Sequence, residues 1–253
     1  MTIPKILVNG AQGKMGSLAV ETINNCKDLK LAGTTNRKDN LSEAINKYNP
    51  DIVLDLTNAN SVFQNTLDIL NSGKIPVIGT SGLTDEHLSE IKSIIKNKNL
   101  KCLIVPNFSI SAVLMMHISS IAAKHFSDIN IIEKHHKTKI DAPSGTAIRT
   151  ADLIAENLNK NNIDNKNKDN KNKDYKEIIP NALGATYKDI NIHSIRQNGA
   201  LAYQSVTFAN QYETFEITQN SMDRQCFMPG VILACKKSLE INGLAIGLES
   251  LIL

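Results

Sequence analysis

The sequence predicts an α/β protein in two parts: a doubly wound parallel sheet first, then an α+β part with a mixed sheet. Three observations carry this. From Lys5 to about Pro106, short apolar runs alternate with helical patterns, the rhythm of repeated βαβ units. A glycine triplet, Gly10, Gly13 and Gly16, directly follows the first apolar run. Beyond Pro106 the rhythm changes, and three strand-like runs succeed one another with little room for helices between them.

The expected strands of the first part are Ile6 to Val8, Leu29 to Ala32, Ile52 to Leu56, Val77 to Ile78 and Cys102 to Val105. Helices are expected over Lys14 to Asn24 and Asp85 to Lys96. Thr84 is the N-cap of the latter, and Leu88, Ile91 and Ile95 recur at helical spacing. In the second part the pattern predicts a helix over Ser111 to Phe126, a strand over Ile129 to Glu133, and a helix from about Gly145 to Asn159. Strands follow over Ile190 to Arg196, Leu201 to Phe208 and Thr214 to Gln219, and a last helix around Gly230 to Ile241. The expected division is 1–106 with 229–253 for the first domain and 107–228 for the second. Residues 157–176, almost all Asn, Lys and Asp, cannot bury enough apolar surface to fold by themselves and are expected to form a flexible surface loop.

Composition excludes several functions. At 253 residues and 42% hydrophobic content the chain can bury a substantial core. Its 28 basic and 25 acidic residues are interspersed, which does not make the basic stripe a nucleic-acid binder needs. No apolar run reaches bilayer length, so no membrane partner is expected. Cys26, Cys102, Cys226 and Cys235 lack metal-type spacing, and the chain opens almost at once on a strand rather than a leader pattern. A cytoplasmic protein with buried, reduced thiols is the expectation.

The glycine triplet lies at a strand-to-helix turn, where backbone amides at a helix N-terminus can face a pyrophosphate, so a dinucleotide is expected there. At the end of the second strand an acidic residue would normally hold the adenine-side ribose of NAD. Here Asn36, Arg37 and Lys38 stand instead, which favours NADPH over NADH. Gly79-Thr80-Ser81-Gly82 and Pro106-Asn107-Phe108-Ser109 fall at the carboxyl ends of the fourth and fifth strands, where such a sheet binds its ligand.

The stretch from Glu133 to Ala147 concentrates titratable groups and then starts a helix. Ser144 can cap that helix, and the amides of Gly145 and Thr146 with the helix dipole behind them suit a carboxylate. His136 and Lys139 add donors for the same anion. His135 can exchange a proton near neutral pH, and Lys139 can protonate a nitrogen or stabilise charge. Adjacent histidines point apart on an extended chain and no third ligand lies nearby, so no metal is expected.

The glycine triplet with Met15-Gly16, the Gly-Thr-Ser-Gly turn, Asn107-Phe108-Ser109 and above all His135-His136-Lys137-Thr138-Lys139-Ile140-Asp141-Ala142-Pro143-Ser144-Gly145-Thr146 resemble the signatures of the dihydrodipicolinate reductase family. The resemblance implies a Rossmann-like cofactor domain completed by the C-terminal helix, and a substrate domain that assembles homotetramers. It implies reduction of 4-hydroxy-tetrahydrodipicolinate, a small dicarboxylate, by NADPH or NADH in lysine and diaminopimelate biosynthesis. His135 would be the acid-base group and Lys139 the proton donor, with His136, Gly145 and Thr146 holding a carboxylate. Gly10, Ala11, Gln12, Gly13, Lys14, Met15, Arg37, Gly79, Thr80, Ser81, Val105, Pro106, Asn107 and Phe108 would line the cofactor. The chain departs from the family where Ala202-Tyr203-Gln204 replaces Gly-Glu-His and Thr218-Gln219 replaces Thr-His. A related amino-acid dehydrogenase and a non-catalytic NADPH-binding regulator are the competing expectations.

Overall fold

The computed structural model describes residues 3–158 and 176–253. Most of the polar stretch 157–176 therefore lies outside the described residues. The chain forms two compact units, Met1–Ile110 with Gln225–Leu253, and Ser111–Arg224.

The first unit is built on a six-stranded sheet whose pairings are all parallel. Its strands are β1 (Lys5–Asn9), β2 (Lys30–Thr35), β3 (Ile52–Asp55), β4 (Ile75–Ile78), β5 (Cys102–Ile104) and β11 (Leu244–Ile246), in the order β11-β5-β4-β3-β1-β2. Ile6, Leu7, Val8, Ile52, Val53 and Leu54 are completely buried, as expected of central parallel strands covered on both faces. The crossovers are α1 (Lys14–Asn24), α2 (Leu41–Tyr48), α3 (Val62–Asn71) and α4 (Asp85–Lys98). Sequence fixes several of their ends. Thr84 caps α4 in a reciprocal capping box with His87, and Asn49 and Asn99 end α2 and α4 in the left-handed conformation that asparagine tolerates.

The second unit carries a five-stranded mixed sheet of β6 (Asp128–His135), β7 (Ala185–Tyr187), β8 (Ile190–Arg196), β9 (Ala202–Ala209) and β10 (Thr214–Ser221), ordered β10-β9-β6-β8-β7. Only β6 and β8 run parallel. Helices α5 (Ile110–Ala122) and α6 (Gly145–Asn157) belong to this half of the chain, α5 beginning at the division between the units. The buried Phe208 packs against the half-buried Phe126 and the exposed Phe215 in an aromatic cluster.

The C-terminal segment differs from the expectation. Helix α7 (Met228–Lys237) starts and stops earlier than the expected Gly230 to Ile241, β11 adds an edge strand to the first sheet, and α8 (Glu249–Ile252) closes the chain. Gly243 and Gly247 at φ +70° and +86° bracket the three residues of β11, so turns, not a longer helix, consume this segment. All four cysteines are free, but only Cys102 and Cys235 are buried, and burial pushes both thiols up to about 12. Cys226 is exposed, against the expectation of four buried thiols. Among the described residues no helix is long and apolar enough to cross a membrane.

Candidate active site

In the first unit, the turn from β1 to α1 is shaped by its glycines. Gly10 takes φ +87°, and its amide and that of Ala11 donate to the Thr35 carbonyl at 2.9 and 3.1 Å, tying the turn to the end of β2. A Cβ on Gly16 would lie 2.1 Å from the Gly10 carbonyl oxygen, so the helix begins closer to the turn than any side chain permits. Gly13 heads α1 with extended backbone and no capping side chain. The first-turn amides at the positive end of the helix dipole are thus presented to an anion, and the turn fits a dinucleotide's pyrophosphate.

Gln12 and Lys14 are exposed on this turn and Met15 is half-buried. The Gln12 amide donates to Asn36 Oδ1 at 2.8 Å, while the Asn36 amide donates to Asp39 Oδ2 at 2.7 Å. Arg37 and Lys38 are exposed in the turn between them. Gly79, Thr80 and Ser81 follow β4, and Val105, Pro106, Asn107 and Phe108 follow β5. A Cβ on Gly79 would lie 2.4 Å from the Phe108 ring, so these two turns interlock. Because the strands are parallel, every residue expected to line the cofactor sits at the carboxyl edge of one sheet.

Sequence reasoning missed the group that organises this edge. Asp55, completely buried at the end of β3, accepts hydrogen bonds from Asn9 Nδ2 at 2.9 Å, Asn65 Nδ2 at 2.8 Å and the Thr57 amide at 3.2 Å. The Thr57 and Thr80 hydroxyls donate to it at 2.8 and 2.5 Å. Asn9 in turn accepts from the Thr35 hydroxyl at 2.9 Å, so the ends of β1 to β4 are wired together through one carboxylate. A polar residue closing each apolar run, Asn9 after Ile6 to Val8 and Asp55 after Ile52 to Leu54, was the available signal.

The second unit carries the titratable groups that the sequence concentrates between Glu133 and Ala147. His135 ends β6 beside Arg196, which ends β8, and the parallel register pairs the two directly. Glu133, two residues earlier on the same face of β6 and completely buried, accepts from both. His135 Nδ1 lies 2.5 Å from Glu133 Oε2, and the two terminal nitrogens of Arg196 donate to Oε2 and Oε1 at 2.9 Å each. Burial alone would raise the Glu133 carboxyl, but hydrogen bonds from His135, Arg196 and Ser194 outweigh it and hold the group down at about 2. Glu133 is therefore ionised at neutral pH and can only accept from its partners.

The loop after β6 is folded back by the same groups. Arg196 also donates to the Asp141 carbonyl at 2.6 Å, and the Ser144 amide donates to Glu133 Oε1 at 3.2 Å. The Ser144 hydroxyl then caps α6, accepting from the Ala147 amide at 3.1 Å as its position in the sequence predicts. Gly145 is exposed and Thr146 half-exposed in the first turn. His136 Nδ1 meets the Thr138 hydroxyl at 2.7 Å, and Lys139 Nζ donates to both oxygens of Asp141 at 2.8 and 2.7 Å. Lys139's hydrogen bond holds the Asp141 carboxyl below the usual range. One loop thus gathers His135, His136, Lys139, Ser144, Gly145 and Thr146. Glu133 and Arg196 are additions: the sequence displayed both, but their meeting depends on strand register.

Comparison with known proteins gives the family. Residues 4–108 match the family model for the N-terminus of dihydrodipicolinate reductase, and residues 111–252 match that for its C-terminus. The chain belongs to the dihydrodipicolinate reductase family. It is 47% identical to the 4-hydroxy-tetrahydrodipicolinate reductase of Legionella pneumophila over 98% of this chain and 99% of that one. Identity to the same-named protein of Coxiella burnetii is 43%, covering 98% of both chains. The solved structure of dipicolinate-bound dihydrodipicolinate reductase from Paenisporosarcina sp. TG-14 aligns over the whole of both chains with a TM-score of 0.87 and 36% identity. Gln204, buried opposite Glu133 on β9, donates to the Thr150 hydroxyl at 2.7 Å, and Thr150 donates to the Thr146 carbonyl at 2.7 Å in the first turn of α6.

Proposed function

We propose that this chain reduces 4-hydroxy-tetrahydrodipicolinate to tetrahydrodipicolinate with NAD(P)H in lysine and diaminopimelate biosynthesis, as its relatives' name describes. The observation that carries this is the end of β6 and the loop after it, which bring a buried ionised carboxylate with its bonded histidine, a lysine and a capped helix N-terminus into one segment.

When bound, the dinucleotide supplies a hydride to a carbon of the substrate ring and is left oxidised. The overall balance is one hydride and one proton added and one water lost. The loop's groups serve the rest of the chemistry. The first-turn amides of α6 and His136 hold a ring carboxylate with the helix dipole behind them. As electrons move toward the ring nitrogen, Lys139 meets the developing charge, exchanging Asp141 for the substrate. His135 exchanges the proton through Nε2. A planar dicarboxylate, like the dipicolinate bound to the solved relative, matches this set of donors.

Gly10 to Met15, Asn36, Arg37, Gly79 to Ser81 and Val105 to Phe108 bind the cofactor, and the exposed Arg37 and Lys38 favour NADPH, because a guanidinium and an ammonium attract a 2′-phosphate. The enzyme works in the cytoplasm as a homotetramer assembled through the sheet face that carries Ile132, Ile195 and Tyr203. The test is NADPH and NADH oxidation while dihydrodipicolinate synthase generates the unstable substrate from pyruvate and aspartate semialdehyde. Rapid oxidation, faster with NADPH and equalised by Arg37→Ala, is the expected result. Lys139→Ala should lower kcat by about 100-fold or more with cofactor binding intact. Unchanged turnover in that variant would remove Lys139 from the chemistry, and silence of the wild type would overturn the reductase reading.

A further inference from the structure

Glu133 has more partners than structural support of β6 requires. It is the sole carboxylate that the described hydrogen bonds join to both His135 and Arg196, and it also takes the Ser144 amide that opens α6. We propose that Glu133 is a positioning residue: it fixes His135 in the tautomer protonated at Nδ1, with Arg196 holding the carboxylate in register, so that Nε2 alone meets the substrate. This rests on the reductase reading of the same loop.

The argument is one of donors and acceptors. An ionised carboxylate offers only lone pairs, so the nitrogen 2.5 Å from it must carry hydrogen. The Arg196 fork occupies one lone pair on each oxygen, which prevents the carboxylate from rotating away from the ring. Arg196 is itself anchored by the Ile195 carbonyl at 2.9 Å and the Asp141 carbonyl at 2.6 Å. The same contact joins the imidazole's orientation to the loop that presents Lys139. Without the carboxylate nothing described here would hold the proton on Nδ1, and the ring could present the wrong nitrogen state to the substrate.

Glu133→Gln tests this. In the variant Arg196 claims the one remaining side-chain oxygen, the amide NH₂ faces Nδ1, and the ring proton moves to Nε2. The expected kinetic result is a fall in kcat of about 100-fold with the KM for NADPH within about twofold of wild type, and partial recovery in Glu133→Asp. The spectroscopic result is read independently of activity. In a long-range proton-nitrogen NMR spectrum of histidine-labelled enzyme, with His135→Gln for assignment, wild-type His135 should show a protonated Nδ1 and Glu133→Gln a protonated Nε2. Should Glu133→Gln fail to fold, the wild-type spectrum still decides: an Nε2-protonated His135 there overturns the proposal. So does a folded Glu133→Gln enzyme with wild-type kcat. Silence of the wild type in the coupled assay overturns the reductase reading instead, which the tautomer spectrum does not touch.

Discussion

Among the described residues each unit buries one carboxylate completely near the carboxyl end of a strand, and the two are satisfied in different ways. Asp55 in the parallel sheet is surrounded by neutral donors: two asparagine amides, two threonine hydroxyls and a backbone amide. Glu133 in the mixed sheet is met chiefly by a guanidinium and an imidazole, with the Ser194 side chain and one backbone amide beside them. Neutral donors fix geometry without bringing a second charge, which suits turns that must cradle a cofactor's own phosphates. A guanidinium beside an imidazole places a fixed charge next to a group that can exchange a proton, which suits acid-base chemistry. The same buried group joins neutral turns in one unit and a histidine to an arginine in the other.

The largest expected effect breaks the clamp. Asp55→Ala leaves the buried Asn9 donor and the half-buried Asn65, Thr57 and Thr80 donors without this acceptor, and at about 1 kcal/mol for each such loss the variant should lose about 4 kcal/mol of stability. For a chain of this size that is a fall in Tm of about 10 °C. Because the clamp joins the turns after β1, β3 and β4, the KM for NADPH should rise about tenfold, while the KM for the ring substrate stays within about twofold. Scanning calorimetry and steady-state kinetics check both. An equal rise in both KM values would mean that Asp55 supports the whole enzyme rather than the cofactor edge.

The next effect isolates the charge at Glu133. Its carboxyl is held at about 2, below the unfolded value, so its contribution is fully present above the unfolded value and is lost as pH falls from there through the folded one. Between about pH 4.5 and pH 2 the wild type should therefore lose of the order of 3 kcal/mol that Glu133→Gln, with nothing to titrate there, does not lose. Urea unfolding across that range measures it. Parallel slopes for the two proteins would show that the Glu133 network contributes no pH-linked stability.

How much of this was legible in the sequence follows from the range of the forces involved. The glycine turn, the Thr84 and Ser144 caps, and the loop from His135 to Thr146 are local, and a few adjacent residues determine each of them. The long-range partners were not legible. Arg196 reaches Glu133 across 63 positions, and only the parallel register of β6 and β8 puts it beside His135. Asp55 gathers Asn9, 46 positions earlier, and Thr80, 25 later. Strand β11 escaped because three residues between glycines make no periodic pattern.

Gln204 supplies the smallest effect and the sharpest contrast with Glu133, its cross-strand neighbour. Its link runs through Thr150 to the Thr146 carbonyl, not to a charged group. Gln204→Leu removes one neutral hydrogen bond, worth about 1 kcal/mol, while Thr150 keeps its own bond to Thr146. The first turn of α6 should loosen slightly, raising the KM for the ring substrate about two- to fivefold with kcat and the KM for NADPH unchanged. Steady-state kinetics at saturating NADPH reads this directly. A loss in kcat comparable to that of Glu133→Gln would instead place Gln204 in the proton path, and the division between neutral clamps and charged partners would then fail within the second unit itself.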